Sequence, residues 1–384
     1  MNTSNMICKT CIYDDSISNI TFDSQGVCNY CRQVEGLKNE YGTGSAKGEL
    51  ALEKIISNIK LDGRGKKYDC VIGVSGGIDS SYLLIKAKEW GLRPLAVHYD
   101  NTWNSAIATM NIGSVTSALN VDLFTYVVDN KEVDDIKRAF LLSGVREFDA
   151  DTDIAFVQVL RKTAAKFKIK YILEGHSFVA EGLTPVGANY LDGKYIESIH
   201  NKYGKKSRKT FPNMTFFQFM KWALLYRQKF IRPFWYMSYS KEDARELLIK
   251  TTGWKYYGGH HLENRASTYA HTVWLPKRFQ IDYRNLALSA DVRRGAKTRE
   301  MALAEYSRPV DEDPELIAYL KKRLELTDNE YQKIFDGPKR DFRNFKTYKK
   351  RFEILRPIFY LLSQANLVPK SFYLKYCFPL NIKK

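Results

Sequence analysis

The chain has 384 residues, 44% hydrophobic and 27% charged, a composition that suits a globular protein with a sizeable core. Its net charge is +17, which favours polyanionic partners such as nucleic acid, nucleotide-linked substrates or an acidic protein. No apolar run reaches the ~18 residues of a membrane-spanning helix. Met1–Lys9 also lacks the apolar stretch of a secretion signal, so a cytoplasmic protein without a membrane span is expected. Phe216–Tyr226 and Ile354–Ala365 come nearest to a span, and both are short and carry a basic residue.

Residues 1–35 form a compact cysteine-bearing segment. Four of the six cysteines sit there, as Cys8-x-x-Cys11 and Cys28-x-x-Cys31. Such local crowding points to a metal site in a reducing compartment rather than a disulfide framework. Two CxxC knuckles at this separation fit a zinc ribbon, with four thiolates filling a closed structural site. An iron–sulfur cluster is the alternative occupant. Asp23-Ser24-Gln25-Gly26 is a turn signal that would present the second knuckle. Residues 36–66 are polar and glycine-bearing, with helical spacing over Leu50–Ile59, and read as a linker with one helix.

Residues 67–200 alternate strand and helix. Tyr68–Val74, Pro94–Tyr99, Asp122–Val128 and Tyr171–Leu173 read as strands, the last running into Glu174-Gly175-His176. Ser80–Trp90, Thr109–Asn120 and Asp153–Phe167 read as helices, and Gly91 closes the first of them. The alternation predicts an α/β fold, a parallel doubly wound sheet with helices on both faces. Residues 201–384 turn aromatic and basic. Helical patterns at Lys241–Thr251, Thr298–Tyr306, Asp313–Leu324 and Thr327–Asp336 make this a mainly helical region for substrate or partner. Cys70 and Cys377 read as small buried apolar residues.

The strongest chemical signal is Ser75-Gly76-Gly77-Ile78-Asp79-Ser80, between the first strand and its helix. Adjacent glycines let the backbone approach an anion closely. The following helix offers free N–H groups and a positive dipole end to phosphates. SGGxDS resembles the PP-loop signature of the adenine-nucleotide α-hydrolase-like ATPases. No Walker-type GxxxxGK[ST] is present. That resemblance implies ATP as cofactor. Ser75, Gly76, Gly77, Asp79 and Ser80 would hold its pyrophosphate, and Asp79 would also place Mg²⁺. The second strand matches the segment that lines the adenosine, which brings in Val97, Tyr99 and Asp100. Gly175 and His176 lie at a strand end, on the sheet edge where ligands bind. His176 reads either as a contact to phosphate or the reacting centre, or as a satisfied polar residue.

With the two ends added, the chain resembles the N-acetyl sugar amidotransferase family over almost its whole length. His260-His261-Leu262-Glu263-Asn264-Arg265, Trp274-Leu275-Pro276-Lys277, Phe279–Arg284 and Thr298–Ala302 carry the match. The family implies conversion of a sugar acetamido group to acetamidino in bacterial surface polysaccharide biosynthesis. It also implies ammonia from a partner glutaminase and a cyclase-like barrel similar to the histidine-biosynthesis pair. The chemistry suits an AMP-transferring site, because adenylating a poor amide electrophile gives an imidate that ammonia can attack. His261, Glu263 and Arg265 are spaced to face one way on an extended segment. Arg265 would grip a diphosphate or sugar carboxylate, and His260 or His261 would manage the ammonia proton. Asp149, Asp151 and Asp153 either assist Mg²⁺ or suit a helix dipole.

Two rivals share parts of the pattern. A PP-loop tRNA-modifying enzyme, of thiolase or lysidine-synthetase type, would use zinc knuckles and basic patches on RNA. The basic clusters are Lys202–Lys209 and Lys339–Arg351. Thiolases generally need catalytic cysteines in the ATPase domain, whereas only Cys70 and Cys377 lie outside the quartet. A zinc-ribbon nucleic-acid-binding module with a degenerate ATPase fold is the non-enzymatic alternative. No glutaminase signature appears, so an ammonia-supplying partner is inferred.

Overall fold

The structure is a computed structural model and describes residues 6–185, 189–258, 263–365 and 367–379. Helices α1 (Asn29–Tyr41) and α2 (Ala46–Asp62) lead into β1 (Cys70–Gly73), α3 (Ile78–Glu89), β2 (Pro94–Asp100), α4 (Ala106–Ala118) and β3 (Leu123–Val127). Then come α5 (Asn130–Ser143), α6 (Ala150–Lys166), β4 (Tyr171–Leu173), α7 (Gly193–Tyr203), α8 (Phe216–Leu224) and β5 (Lys229–Ile231). All strand pairs are parallel, in the order β3-β2-β1-β4-β5. The expected parallel α/β sheet is therefore present. It gains a fifth strand, β5, which three half-buried residues were too few to announce.

Period-two alternation divides the strands between two cores. Val71, Leu95, Val97, Tyr99 and Ile172 face the larger core with α5, α6 and α7. Cys70, Ile72, Ala96, Tyr171 and Leu173 face the other, with α2, α3 and α4. Burial on both faces is what a parallel sheet requires. The loops after β1, β2, β4 and β5 all leave from the C-terminal edge, where the candidate site lies.

The remaining chain is mostly helical, as expected: α9 (Lys241–Thr252), α10 (Arg265–Tyr269), α11 (Arg284–Arg293), α12 (Arg299–Tyr306), α13 (Pro314–Arg323), α14 (Asp328–Asp336), α15 (Lys349–Ile354), α16 (Arg356–Gln364) and α17 (Lys370–Tyr376). Between α10 and α11, Ala270–Phe279 continues as a π-helix that contains Pro276. Phe352, Phe359 and Phe372 of the last helices pack on Phe219 of α8, and with Tyr376 they join the larger core. Among the described residues no helix is long and apolar enough to cross a membrane.

Candidate active site and cysteine cluster

The loop after β1 is shaped by its neighbours. Gly76 has φ +84°, and a Cβ there would lie 2.3 Å from the Ala108 carbonyl oxygen, so only glycine fits. The Gly76 carbonyl accepts from the Trp254 indole at 2.9 Å and from Asn111 Nδ2 at 3.4 Å. Asn111 is fixed in turn by both backbone groups of Lys255, each at 2.8 Å. Gly77 is the N-cap of α3, and no side chain caps that helix. The Gly77 amide donates to Ser75 Oγ at 3.3 Å, and the Ser75 amide to Ser80 Oγ at 3.4 Å. A turn of amides and hydroxyls at a helix N-terminus is an anion-binding arrangement, so ATP phosphates fit the residues present.

Asp79 faces a cavity of about 170 Å³ lined also by Lys241, Arg245, Tyr257 and Arg294. Its Oδ1 accepts from the Tyr239 hydroxyl, and its Oδ2 lies 3.6 Å from Lys241 Nζ. A Mg²⁺ ion held by Asp79 would share the carboxylate with this ammonium. Lys241, Tyr239, Trp254 and Tyr257 all come from beyond residue 200. Nothing local in their sequence marks them.

The segment 263–265 reaches the same edge. It pairs antiparallel with the chain after β2, through Ser105 N to Glu263 O and Arg265 N to Trp103 O, each 2.9 Å. Glu263 Oε1 then sits 3.5 Å from Ser75 Oγ. Asn264 Nδ2 donates to Asn101 Oδ1 and Asn104 Oδ1, each at 3.1 Å, and its own Oδ1 caps α10. Asn104 Nδ2 lies 3.1 Å from His98 Nε2, and His98 Nδ1 lies 3.0 Å from the Val74 carbonyl. Burial holds the His98 pKa below its usual value, which suits a neutral ring donating from Nδ1 and accepting at Nε2. Arg265 does not face the loop with Glu263. It is the first residue of α10, where strand alternation stops, and its guanidinium lies 4.7 Å over the Tyr319 ring. His261 lies outside the described residues.

Other expected contacts are distributed differently. Val97 and Tyr99 are 0% and 4% exposed, so their side chains belong to the core rather than to an adenosine surface. Asp100 Oδ1 accepts from the Thr102 amide at 2.8 Å and shapes the turn after β2. Gly175 has a steric reason: a Cβ there would lie 2.7 Å from the Asp79 carbonyl oxygen, so the chain just after β4 packs directly against the phosphate loop. His176 Nδ1 accepts from the Trp235 indole at 3.2 Å.

Asp149 and Asp151 are taken by Lys137, a fully buried ammonium 2.7 Å and 3.0 Å from their carboxylates. The Mg²⁺ alternative for these two residues is thereby overturned. Burial pushes the Asp151 carboxyl up to about 6, opposed by Lys137 and reinforced by Asp149. Burial would raise Asp149 too, but Lys137, Ser267 and Thr152 outweigh it and hold its pKa low.

The four cysteines converge as the spacing predicts. Their sulfurs lie within 4.8 Å of one another, with Cys8–Cys31 at 3.9 Å and Cys11–Cys28 at 3.8 Å. A tetrahedron with Zn–S near 2.3 Å has edges of about 3.8 Å, so a four-thiolate zinc site fits. Amides of Thr10, Tyr13, Cys28 and Cys31 point at these sulfurs from 3.2–3.5 Å. Hydrogen bonds among the thiols, foremost from Cys28, lower Cys11 to about 7, whereas Cys28 and Cys31 are raised. Four crowded sulfurs thus share protons that a divalent cation would replace. The turn at 23–26 is present, with Asp23 Oδ1 accepting from the Gln25 and Val27 amides at 2.9 Å. The ribbon is clasped from α11 and α12. Arg299 Nε donates to the Cys8 and Cys11 carbonyls at 3.0 Å and 3.2 Å, and Ile12 N to Ser289 Oγ at 3.3 Å.

The basic clusters are partly fastenings. Glu132 accepts amides of Lys209, Thr210 and Phe211, and Asp135 those of Lys205 and Lys206, so the first cluster is laced onto α5 by its backbone. In the second, Arg340 donates to the Ser143 carbonyl at 2.9 Å and Lys349 to that of Tyr376 at 2.9 Å. Cys70 and Cys377 are 0% and 1% exposed, and burial raises both thiols.

Residues 263–358 match the family model described as LPS biosynthesis protein WbpG-like, C-terminal domain. The match begins at Glu263 and agrees with the resemblance read from 260–302. An uncharacterized protein of Methanocaldococcus jannaschii, MJ1599, is 29% identical over 173 residues, 44% of this chain and 59% of that relative. The aligned region thus spans less than two thirds of that relative's length. Among solved structures, an NH3-dependent NAD synthetase from Campylobacter jejuni aligns with a TM-score of 0.31 and 15% identity, over 76% of this chain and 97% of its own. An NMN synthetase from Francisella tularensis aligns with a TM-score of 0.26 and 14% identity, over 60% and 94%. The fold rests on the strand order and the loop of this chain itself.

Proposed function

We propose that this α/β chain is an ATP-dependent, AMP-forming N-acetyl sugar amidotransferase of surface polysaccharide biosynthesis. Its C-terminal region is similar to the WbpG-like LPS biosynthesis domain, and its phosphate loop is of PP-loop type. The observation that carries the reading is the contact of Glu263 with Ser75. It joins the first residue of the LPS-like region to the phosphate loop, so both parts build one site.

The loop amides, Ser75, Ser80 and the α3 N-terminus hold the pyrophosphate portion of ATP. Lys241 supplies positive charge beside Asp79, and Asp79 is also the candidate to place Mg²⁺. Held this way, the α-phosphorus is presented to the acetamido oxygen. That oxygen forms the new P–O bond as the bond to the β-phosphate breaks and pyrophosphate leaves with the electron pair. Ammonia adds to the imidate carbon and loses a proton, and AMP departs with the C–O electrons, leaving an amidine. His261 is the proposed acceptor of that proton, and His176, oriented by Trp235, the proposed polar contact to the reacting group. Catalysis here is positioning and electrostatics. Cys8, Cys11, Cys28 and Cys31 would hold a structural zinc that closes the ribbon, and Ser289 and Arg299 seat the ribbon on α11 and α12.

Ammonia is proposed to come from a partner glutaminase and a cyclase-like barrel. The burial of Cys70 and Cys377 favours this reading over an RNA thiolase, which needs an accessible sulfur nucleophile. The test is to supply ATP, Mg²⁺, ammonium and nucleotide-linked acetamido sugars, and to measure AMP. AMP formed with tRNA but with no acetamido sugar would overturn the proposal.

A further inference from the structure

A second cavity, of about 190 Å³, lies on the opposite face of β4 and β5 from α3. Its walls are aromatic and aliphatic, with Phe216, Phe219, Phe230, Phe352 and Phe372 prominent. One wall is Arg161 of α6, which is 2% exposed. Its guanidinium lies 4.7 Å over Phe230 and 5.9 Å from Phe219, and its Nη1 makes one long hydrogen bond of 3.5 Å to Gln228. Its Nε is buried without a partner.

The carboxylates at this cavity are committed elsewhere. Glu174 is held by Arg232 at 2.8 Å. Asp192 accepts from the Tyr195 and Tyr348 amides at 2.7 Å and 2.8 Å and from the Tyr190 hydroxyl. Burying an unpaired cation is costly, and a cation–π contact offsets only part of that cost. Burial pulls the Arg161 pKa down to about 10, against the field of Glu174, so the guanidinium stays charged at neutral pH.

We infer that this cavity binds a small amphiphilic anion, its carboxylate or phosphate head on Arg161 and its apolar body against the phenylalanines. The apolar walls set the body of that ligand, a medium-chain alkyl or an aryl group. The site is separate from the phosphate loop. Glu174 lines this cavity, whereas its neighbour Gly175 packs on Asp79.

The test uses the full chain with octanoate, octyl phosphate and neutral 1-octanol, each displacing the fluorescent probe anilinonaphthalene sulfonate. At least one of the two anions should bind tenfold or more tightly than octanol, and the pair distinguishes a carboxylate head from a phosphate head. In Arg161→Met that preference should vanish while octanol affinity stays within twofold, and the ligand-free variant should melt no lower than the parent. Equal binding of anions and octanol to the parent would overturn the inference. So would a preference that survives in Arg161→Met. A variant that melts lower or fails to fold would show that the fold itself uses the charge, and would overturn it as well.

Discussion

Glu263 Oε1 lies 3.5 Å from Ser75 Oγ across 188 residues of chain. Ser75 Oγ also accepts the Gly77 amide at 3.3 Å, so its proton is directed to the carboxylate. The phosphate loop is therefore finished by the C-terminal region rather than by the sheet alone.

Glu263→Ala should reduce AMP formation about 10-fold or more by releasing the Ser75 hydroxyl, and Ser75→Ala by up to ~10²-fold. Glu263→Gln, which still accepts a hydrogen bond, should retain more activity than the alanine variant. Steady-state AMP release at saturating ammonium checks the order of the three.

Gly76→Ala should abolish ATP binding without unfolding the sheet. A Cβ at φ +84° meets the Ala108 carbonyl at 2.3 Å, so the loop must move. Equilibrium binding of an ATP analogue, alongside a thermal melt, separates the two effects.

Asp79→Ala should remove the acceptor of the Tyr239 hydroxyl and the carboxylate beside Lys241, and abolish AMP release. Lys241→Met should raise KM for ATP about 10-fold or more if its ammonium serves the phosphates. A Lys241→Met variant with unchanged KM would assign the lysine to Asp79 alone.

The parts legible in the sequence were contiguous. The loop and the cysteine quartet each lie within a few residues or at fixed spacing, and the structure places both as expected. The partners of Asp79 could not be read, because Tyr239 stands 160 positions away and tyrosines are common here. Val97 and Tyr99 were legible as strand residues, and alternation sends both side chains into the core, which leaves their backbone to meet an adenosine. Arg265 was misdirected because a helix starts at that residue. Helix α5 was overlooked although Val133, Ile136, Phe140 and Leu141 have helical spacing and Asp129 and Gly144 cap it. β5 gave no signal of its own and exists because β4 offers it a parallel edge.

Zinc content should be one per chain, and removal by a strong chelator should lower the melting temperature by many degrees, since metal binding is folding energy here. Arg299→Ala should weaken the seat of the ribbon on α12 while keeping the metal. Elemental analysis with and without chelator checks both, and iron in place of zinc would identify the alternative cluster.

Lys137→Met should cost about 3–5 kcal/mol by removing the ammonium that compensates the buried Asp151 and the partly buried Asp149. Asp151→Asn should behave oppositely. The folded-state pKa near 6 exceeds the unfolded value of about 3.9. The folded chain therefore binds more protons between these values, and this residue makes the protein less stable as pH rises through the window. The asparagine variant should gain stability relative to the parent from pH 4 to pH 7. Denaturant melts at both pH values check the sign.

AMP release from the purified chain with ATP, Mg²⁺ and high ammonium is the decisive measurement. AMP should equal the amidine formed with a nucleotide-linked N-acetyl sugar, and none should form with ammonium or sugar omitted. AMP that appears with tRNA and with no acetamido sugar would contradict the proposed activity.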